Sequence, residues 1–413
     1  MISLELDMIQ TAGIGALALI VGMVLTRRVG FLQKFCIPSP VSGGIIFSLI
    51  TLILYGWFDV EVSFDNTLGN VFMLAFFTSV GFQSDLKVIK QGGKLLVIML
   101  TLLVVMIALQ NLMPMGITRL MGVDSLIGMA AGSISMTGGH GTAGGFASVL
   151  EGLGLHGAAT IGMAAATFGL IAGSMIGGPL AERIIRTKLT HEQMQPQDEE
   201  IDPAMAGIES DEASPAGREK RVSTNELEFQ QYAKATYCIL LVMGGGTLLS
   251  WLLAKTGVTF PTYFGALILA AIVRNVIGLV NSEKLLDMDR IISVGNISLS
   301  MFLGMAMISL KLWELQNLAL PLIVILASQV LMMALFAFFV AFPLLGRDYD
   351  AAVLCAGMCG FGLGATPNAM ANMSAVCYKY RYTVKPFLIV PIIGAMFADL
   401  INTGMITLFL NLL

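Results

Sequence analysis

Apolar residues run in long blocks along this chain, separated by short polar stretches. Ten blocks are long enough to approach the roughly 30 Å of a bilayer core. Five lie at 8–26, 39–57, 68–84, 95–113 and 158–182. Five more lie at 233–253, 260–278, 292–309, 317–341 and 386–410. Between the two sets, residues 187–228 are rich in Asp, Glu, Pro, Ser and Gly, and read as a disordered linker. The chain thus divides into an N-terminal membrane unit (1–186), the linker (187–228) and a C-terminal membrane unit (229–413).

Two regions, 125–151 and 350–376, break this rhythm. Each sits between the fourth and fifth span of its half. Each is apolar but interrupted by glycines and small polar residues, as in "TGGHGTAGGF" at 137–146. An interior glycine costs a helix about 1 kcal/mol relative to alanine. The pattern predicts a helix, a break and a second helix, a hairpin that enters the membrane and returns. Irregular backbone at that depth is tolerated only inside protein or beside a watery cavity.

The halves also match each other in order. "LGNVFMLAFF" at 68–77 lines up with "VGNISLSMFL" at 294–303. "MGVDSLIGMAAGSISMTGGHGT" from 121 lines up with "LGRDYDAAVLCAGMCGFGLGAT" from 345, which sets Gly139, His140 and Gly141 on Gly362, Leu363 and Gly364. Five spans per half is an odd number, so the second half inserts upside down. The expected fold is an all-α polytopic membrane protein of two inverted five-helix repeats, each with a re-entrant helical hairpin. Inverted repeats of this kind place a transport site at their interface.

Charge fixes the orientation. With both termini outside and the linker inside, 20 of the 23 Lys and Arg residues fall on the inside; Arg119, Lys255 and Lys311 fall outside.

Composition agrees with this class. The chain has 413 residues, 56% of them hydrophobic and 12% charged, whereas a soluble domain is about a quarter charged. A net charge of −4 without a basic patch gives nucleic acid nothing to bind. Five scattered cysteines do not form a disulfide framework. The acidic N-terminus "MISLELDMIQ" lacks the basic region of a signal peptide.

Each returning arm starts a helix after its break, after "GGHG" and after "GLG". Its first N–H groups have no partner and carry partial positive charge. Such an end binds a carboxylate without a buried Lys or Arg. Candidate substrate ligands are therefore Ser135, Thr137, Gly138, Gly139, His140, Gly141 and Thr142 in the first region, with Gly362, Gly364, Thr366 and Asn368 in the second. Carbonyls of the broken backbone suit Na+, which prefers oxygen. Ser133, Gly360, Asn372 and Asn402 are candidate Na+ ligands, together with Asn70 and Asn296 at equivalent repeat positions. Those last two asparagines serve equally well as polar links between helices. One glycine alone would indicate only a tight helix crossing; two clusters at matching places favour a site.

Asp399 lies well inside the last span, and intramembrane carboxylates are functional by default. Asn402, three residues on, shares its face. The corresponding place in the first half is near Ser174, so the two halves are not equivalent. His140 aligns with Leu363, which makes it site-lining or structural rather than a proton carrier. No Ser–His–Asp or HExxH arrangement appears, and no nucleophile–base or metal constellation indicates an enzyme.

At these residues the sequence resembles the sodium/glutamate symporter family. The resemblance is carried by "IPSPVSGG" at 37–44, "MLAFFTSVG" at 73–81, "GSISMTGGHGTAG" at 132–144 and "ATFGLIAGSMIGGP" at 166–179. It continues through "VGNISLSMFLGMAMISLKLWEL" at 294–315, "GFGLGATPNAMANM" at 360–373 and "VPIIGAMFADLIN" at 390–402. It implies Na+-coupled uptake of L-glutamate across a bacterial inner membrane, with Na+ as the co-transported ion. It also implies a homodimer and an elevator-like movement of the hairpin-bearing part. The residues themselves leave open a carrier for a different organic anion or a passive anion channel.

Overall fold

The computed structural model describes residues 2–87, 93–189, 221–280 and 286–413. The expected linker lies largely outside them. The chain opens with a strand, β1 (Ile2–Leu6), that pairs in parallel with β2 (Val60–Phe64), Leu4 opposite Val62. Both strands alternate apolar and polar residues, the period of a half-buried strand. Hydropathy over a membrane-length window does not register runs this short.

The N-terminal half supplies helices α1 (Met8–Arg28), α2 (Ser39–Phe58), α3 (Thr67–Gln83), α4 (Gly93–Met121), α5 (Ser125–Ala130), α6 (Gly139–Gly152) and α7 (Ala158–Lys188). The C-terminal half repeats the order: α8 (Arg221–Ala254), α9 (Phe264–Leu279), α10 (Met288–Ile308), α11 (Ala319–Leu345), α12 (Tyr349–Leu363), α13 (Thr366–Lys379) and α14 (Lys385–Leu410). Among the described residues, eight helices are long and apolar enough to cross a membrane. The expected spans at 68–84 and 260–278 form α3 and α9, of 17 and 16 residues. At 1.5 Å per residue they reach only about 25 Å, short of a full hydrocarbon core. The helix of α8 begins at Arg221, so the last eight residues assigned to the linker are helical. A helix can continue past the membrane without apolar residues, and a hydropathy boundary misses that continuation.

Local signals explain the helix ends. Asp7 caps α1: its carboxylate accepts the N–H groups of Ile9 and Gln10, each at 2.8 Å, while Gln10 Oε1 accepts the Asp7 N–H at 3.1 Å. Arg27 and Arg28 stand in the last turn, where cations oppose the helix dipole. Asp348 caps α12 through the Ala351 N–H at 2.7 Å.

The helices pack in two groups. The first contains α1, α2 and α3 with α8, α9 and α10, so each half contributes its first three helices. The second contains α4 to α7 with α11 to α14. Contacts within each group far exceed those between them. Within the halves the chain crosses from the first group to the second near Asp85 and near Lys311, and an ion pair stands at both of these crossings. Asp85 meets Arg274 at 2.8 Å with both side chains mostly buried. Lys311 meets Glu61 at 2.8 Å, and this carboxylate holds the Lys311 ammonium above its usual pKa range. Trp313 stacks on Tyr55 beside the second crossing, with ring centroids 4.0 Å apart.

Candidate substrate and ion site

Both glycine-punctuated regions form helix, break and helix. In the first, α5 ends at Ala130 and α6 starts at Gly139, with irregular backbone between. Asn111 on α4 explains part of this break. Its Oδ1 accepts the Ser133 N–H at 3.0 Å, which withdraws that donor from helical bonding. In the second region only Gly364 and Ala365 separate α12 from α13. The helix of α6 begins inside the "GGHG" motif rather than after it, because Gly139 takes the left-handed φ of +59° that turns the chain into the new helix. His140 and Gly141 therefore lie in its first turn.

The two breaks meet. A Cβ added to Gly139 would stand 3.3 Å from Gly364 O. Thr137 Oγ1 donates to Gln110 Oε1 at 2.6 Å, and the Gln110 Nε2 donates to Gly362 O. Gln329 on α11 donates in turn to Gln110 O at 2.8 Å. A buried amide from the fourth helix of each half thus ties the breaks together.

Between the two helix groups and against these breaks lies a cavity of about 380 Å³. Thr137, Gly138, Gly139, His140, Gly141, Thr142, Gly364, Thr366 and Asp399 line it from the second group. Asn296, Phe76 and Gln83 line it from the first. The N-termini of both α6 and α13 therefore face one space. Asp399 is the only charged residue among its lining residues, which include no Lys or Arg. A π-turn at Ile393–Phe397 immediately precedes Asp399 in α14; such turns are frequent at functional sites.

The remaining candidate residues stand elsewhere. Ser133, Ser135, Gly360, Gly362, Asn368, Asn372 and Asn402 lie behind the cavity wall, not on it. Asn402 Nδ2 donates to Ser133 O at 3.0 Å, tying α14 to the first break. Asn368 and Asn372 donate to Leu170 O and Gly173 O on α7, at 2.8 and 2.9 Å. Ser135 Oγ donates to Ala130 O and lies 2.9 Å from Gly162 O, a structural role. The buried atoms Ser133 Oγ, Asn368 Oδ1 and Asn402 Oδ1 have no hydrogen-bond partner among the described residues. His140 Nε2 lies 2.9 Å from Thr167 Oγ1. Thr167 gives its own proton to Met163 O at 2.8 Å, so its oxygen accepts and His140 carries its proton on Nε2.

Asn70 lines a different cavity, of about 530 Å³, near the opposite ends of the same helices. This second cavity runs along α3 at Gly69 and Asn70, along α6 from Gly144 to Glu151, and along α10 at Phe302 and Ala306. Phe302 and Met163 close over Gly144, where an added Cβ would meet the Phe302 ring at 2.5 Å and Met163 Cε at 2.9 Å. The matching positions Asn70 and Asn296 thus face separate spaces.

The sequence profile described as Sodium/glutamate symporter matches residues 4–382. The chain belongs to the sodium/glutamate symporter family. It is 38% identical over 414 residues to the sodium/glutamate symporter of Escherichia coli K12, covering 99% of this chain and 98% of that protein. It is 37% identical over 399 residues to the sodium/glutamate symporter of Haemophilus influenzae, covering 96% and 95%. Membership makes the chain a multi-pass membrane transporter and not an enzyme. Spacing along the sequence did not single out Gln110, Asn111 and Gln329, which the structure places at the breaks. Their one sequence signal is an uncharged amide inside an apolar span.

Gln110→Leu should raise the half-saturating substrate concentration for transport about tenfold or more. It removes the donor to Gly362 O and the acceptor of the Thr137 hydroxyl, leaving these two groups only their long 3.4 Å contact with each other; a poorly paired buried group costs about 1–3 kcal/mol, and 1.4 kcal/mol is tenfold. Uptake kinetics normalised to folded protein check this. Unchanged kinetics would remove Gln110 from the support of the breaks.

Proposed function

We propose that this protein is a secondary active transporter that couples Na+ entry to uptake of L-glutamate across the bacterial inner membrane. The observation that carries the reading is one cavity with two helix N-termini, one carboxylate and no Lys or Arg among its lining residues. A helix start receives a substrate carboxylate, and Asp399 receives the ammonium. A dicarboxylate without an amine would leave Asp399 facing like charge.

Na+ is the co-transported ion, supported by the family and by the oxygens around the first break. Ser133 Oγ and Asn402 Oδ1 are buried oxygens without a partner among the described residues, on two elements joined through Ser133 O. Gly360 and Asn372 would serve an equivalent position at the second break. Asn296 lines the substrate cavity, whereas Asn70 lines the other one and would meet an ion only on its way in.

The two cavities along α3, α6 and α10 support alternating access, with Phe302 and Met163 as the barrier between them. The second helix group, which holds both breaks, would move as an elevator against the first, and the first would form the homodimer. In this reading the halves are inverted repeats, the hairpins are re-entrant, the termini are periplasmic and the linker is cytoplasmic.

Purified protein in liposomes should accumulate labelled glutamate only when an inward Na+ gradient is imposed. Uptake that is absent, or that ignores the gradient, overturns the reading. Hydroxy-acids that compete as well as glutamate would assign the site to a different anion.

A further inference from the structure

The outer side of α11 borders two cavities that share no lining residue with the substrate cavity. One is a groove of about 600 Å³ between α4 and α11, walled by Leu109, Met113, Leu331, Leu335 and Val340. Its one polar lining residue, Ser328, spends its hydroxyl on Ile325 O at 2.6 Å. The other, of about 380 Å³, lies at the end of the same helix and contains Lys188 and Arg347. Phe339 lines both, so apolar wall passes directly into basic pocket.

Local structure presents these cations. Lys188 is the last residue of α7, with its ammonium 5.5 Å from the centre of the Phe338 ring. Arg347 follows the end of α11 in the left-handed conformation, φ 60°, after Gly346 at φ 126°. The neighbouring acids are engaged: Asp348 caps α12, and Glu182 pairs with Arg186 and Lys379. Neither Lys188 nor Arg347 forms an ion pair among the described residues.

We infer that this composite cavity binds one anionic phospholipid, its phosphate between Lys188 and Arg347 and an acyl chain along the groove between α4 and α11. Charge and geometry both select that class. A basic pocket at a helix end sits at headgroup depth, and the groove continues from it along a membrane-spanning helix. Basic pockets between transmembrane helices are lipid headgroup sites by the same electrostatics. The lipid would sit on the helix group that carries the breaks, and would travel with it or hold it.

The test uses the full chain in nanodiscs of phosphatidylcholine containing a minor fraction of phosphatidylglycerol, read by native mass spectrometry. Each interfacial cation contributes about fivefold toward an anionic lipid, so two predict retention of phosphatidylglycerol over phosphatidylcholine of about 25-fold. Lys188→Gln combined with Arg347→Gln should abolish the preference. Lys188→Arg combined with Arg347→Lys should keep it, which controls for folding. Leu335→Trp, which fills the groove, should lower retention of both lipids. An unchanged preference in the Gln variant overturns the site. Binding of soluble glycerol phosphate as tight as that of the lipid overturns the role of the groove. A full-length protein with the linker acids Asp198, Glu199, Glu200, Asp202, Glu209, Asp211 and Glu212 changed to amides gives the last control. If phosphatidylglycerol binds only in that variant, the acidic linker is the natural occupant and the lipid assignment fails.

Discussion

Asp399→Asn is expected to lower Na+-driven glutamate uptake about 100-fold or more while the protein stays folded. Asn has nearly the same shape, so the substitution removes charge and little else. Among the residues lining the cavity, Asp399 is the sole acid, facing the helix starts of α6 and α13. The substrate ammonium, or the Na+ that accompanies it, would lose its only charged partner. Truncating one side of a desolvated charge pair costs about 2–5 kcal/mol, and 2.8 kcal/mol is a hundredfold. The measurement is kcat/KM for uptake at several Na+ concentrations. A rise in the glutamate KM alone assigns Asp399 to the ammonium, and a rise in the Na+ requirement assigns it to the ion. Wild-type kinetics in the variant would take Asp399 out of the site.

Gly139→Val is expected to reduce uptake at least tenfold by disturbing both breaks together. The position holds φ +59°, where a side chain with a Cβ costs about 1–2 kcal/mol. The new Cβ would also stand 3.3 Å from Gly364 O, so the second break must yield by a few tenths of an ångström. Both helix N-termini face the cavity, and a shift at their meeting point misaims both sets of N–H groups. Gly139→Asn separates the two causes. Asn tolerates the left-handed conformation, so it retains the close contact while relieving most of the backbone strain. If the Val variant transports normally, the close approach of the breaks is not needed for transport.

The two breaks were legible because each is an anomaly within an apolar run. Gly138 and Gly139 in one half, and Gly364 in the other, sit where a membrane helix would otherwise continue; Gly360 and Gly362 fall within α12, which runs on to Leu363. Asp399 was legible for the same reason, since a carboxylate in a span is conspicuous. Gln110, Asn111 and Gln329 were harder. An uncharged amide is a mild interruption of hydropathy, and its partners lie at Gly362, Ser133 and Gln110, two of them far away in sequence. His140, read from the sequence as site-lining or structural, lines the cavity. Its imidazole is committed to Thr167, and the part of its motif that reaches Gly364 is the neighbouring glycine backbone.

Asn70 and Asn296 show where the internal match reaches its limit. Their segments align residue for residue, yet one faces the 530 Å³ cavity and the other the 380 Å³ cavity. Positions that align in the two halves therefore open onto different cavities, near opposite ends of the same helices.

By itself the sequence determined the eight membrane-length helices and the two breaks. Each is a property of one segment against water or lipid, and hydropathy measures that directly. Only the tertiary structure decided which helices group together, that the breaks touch, and which side chains face a cavity. Lipid tails are as apolar as a helix interface. Leu331 is 61% exposed and Met333 on the same helix is fully buried, yet both are simply apolar letters in the chain. Inside a membrane, burial leaves almost no trace in hydropathy, and the partners of each face are settled by packing and hydrogen bonding.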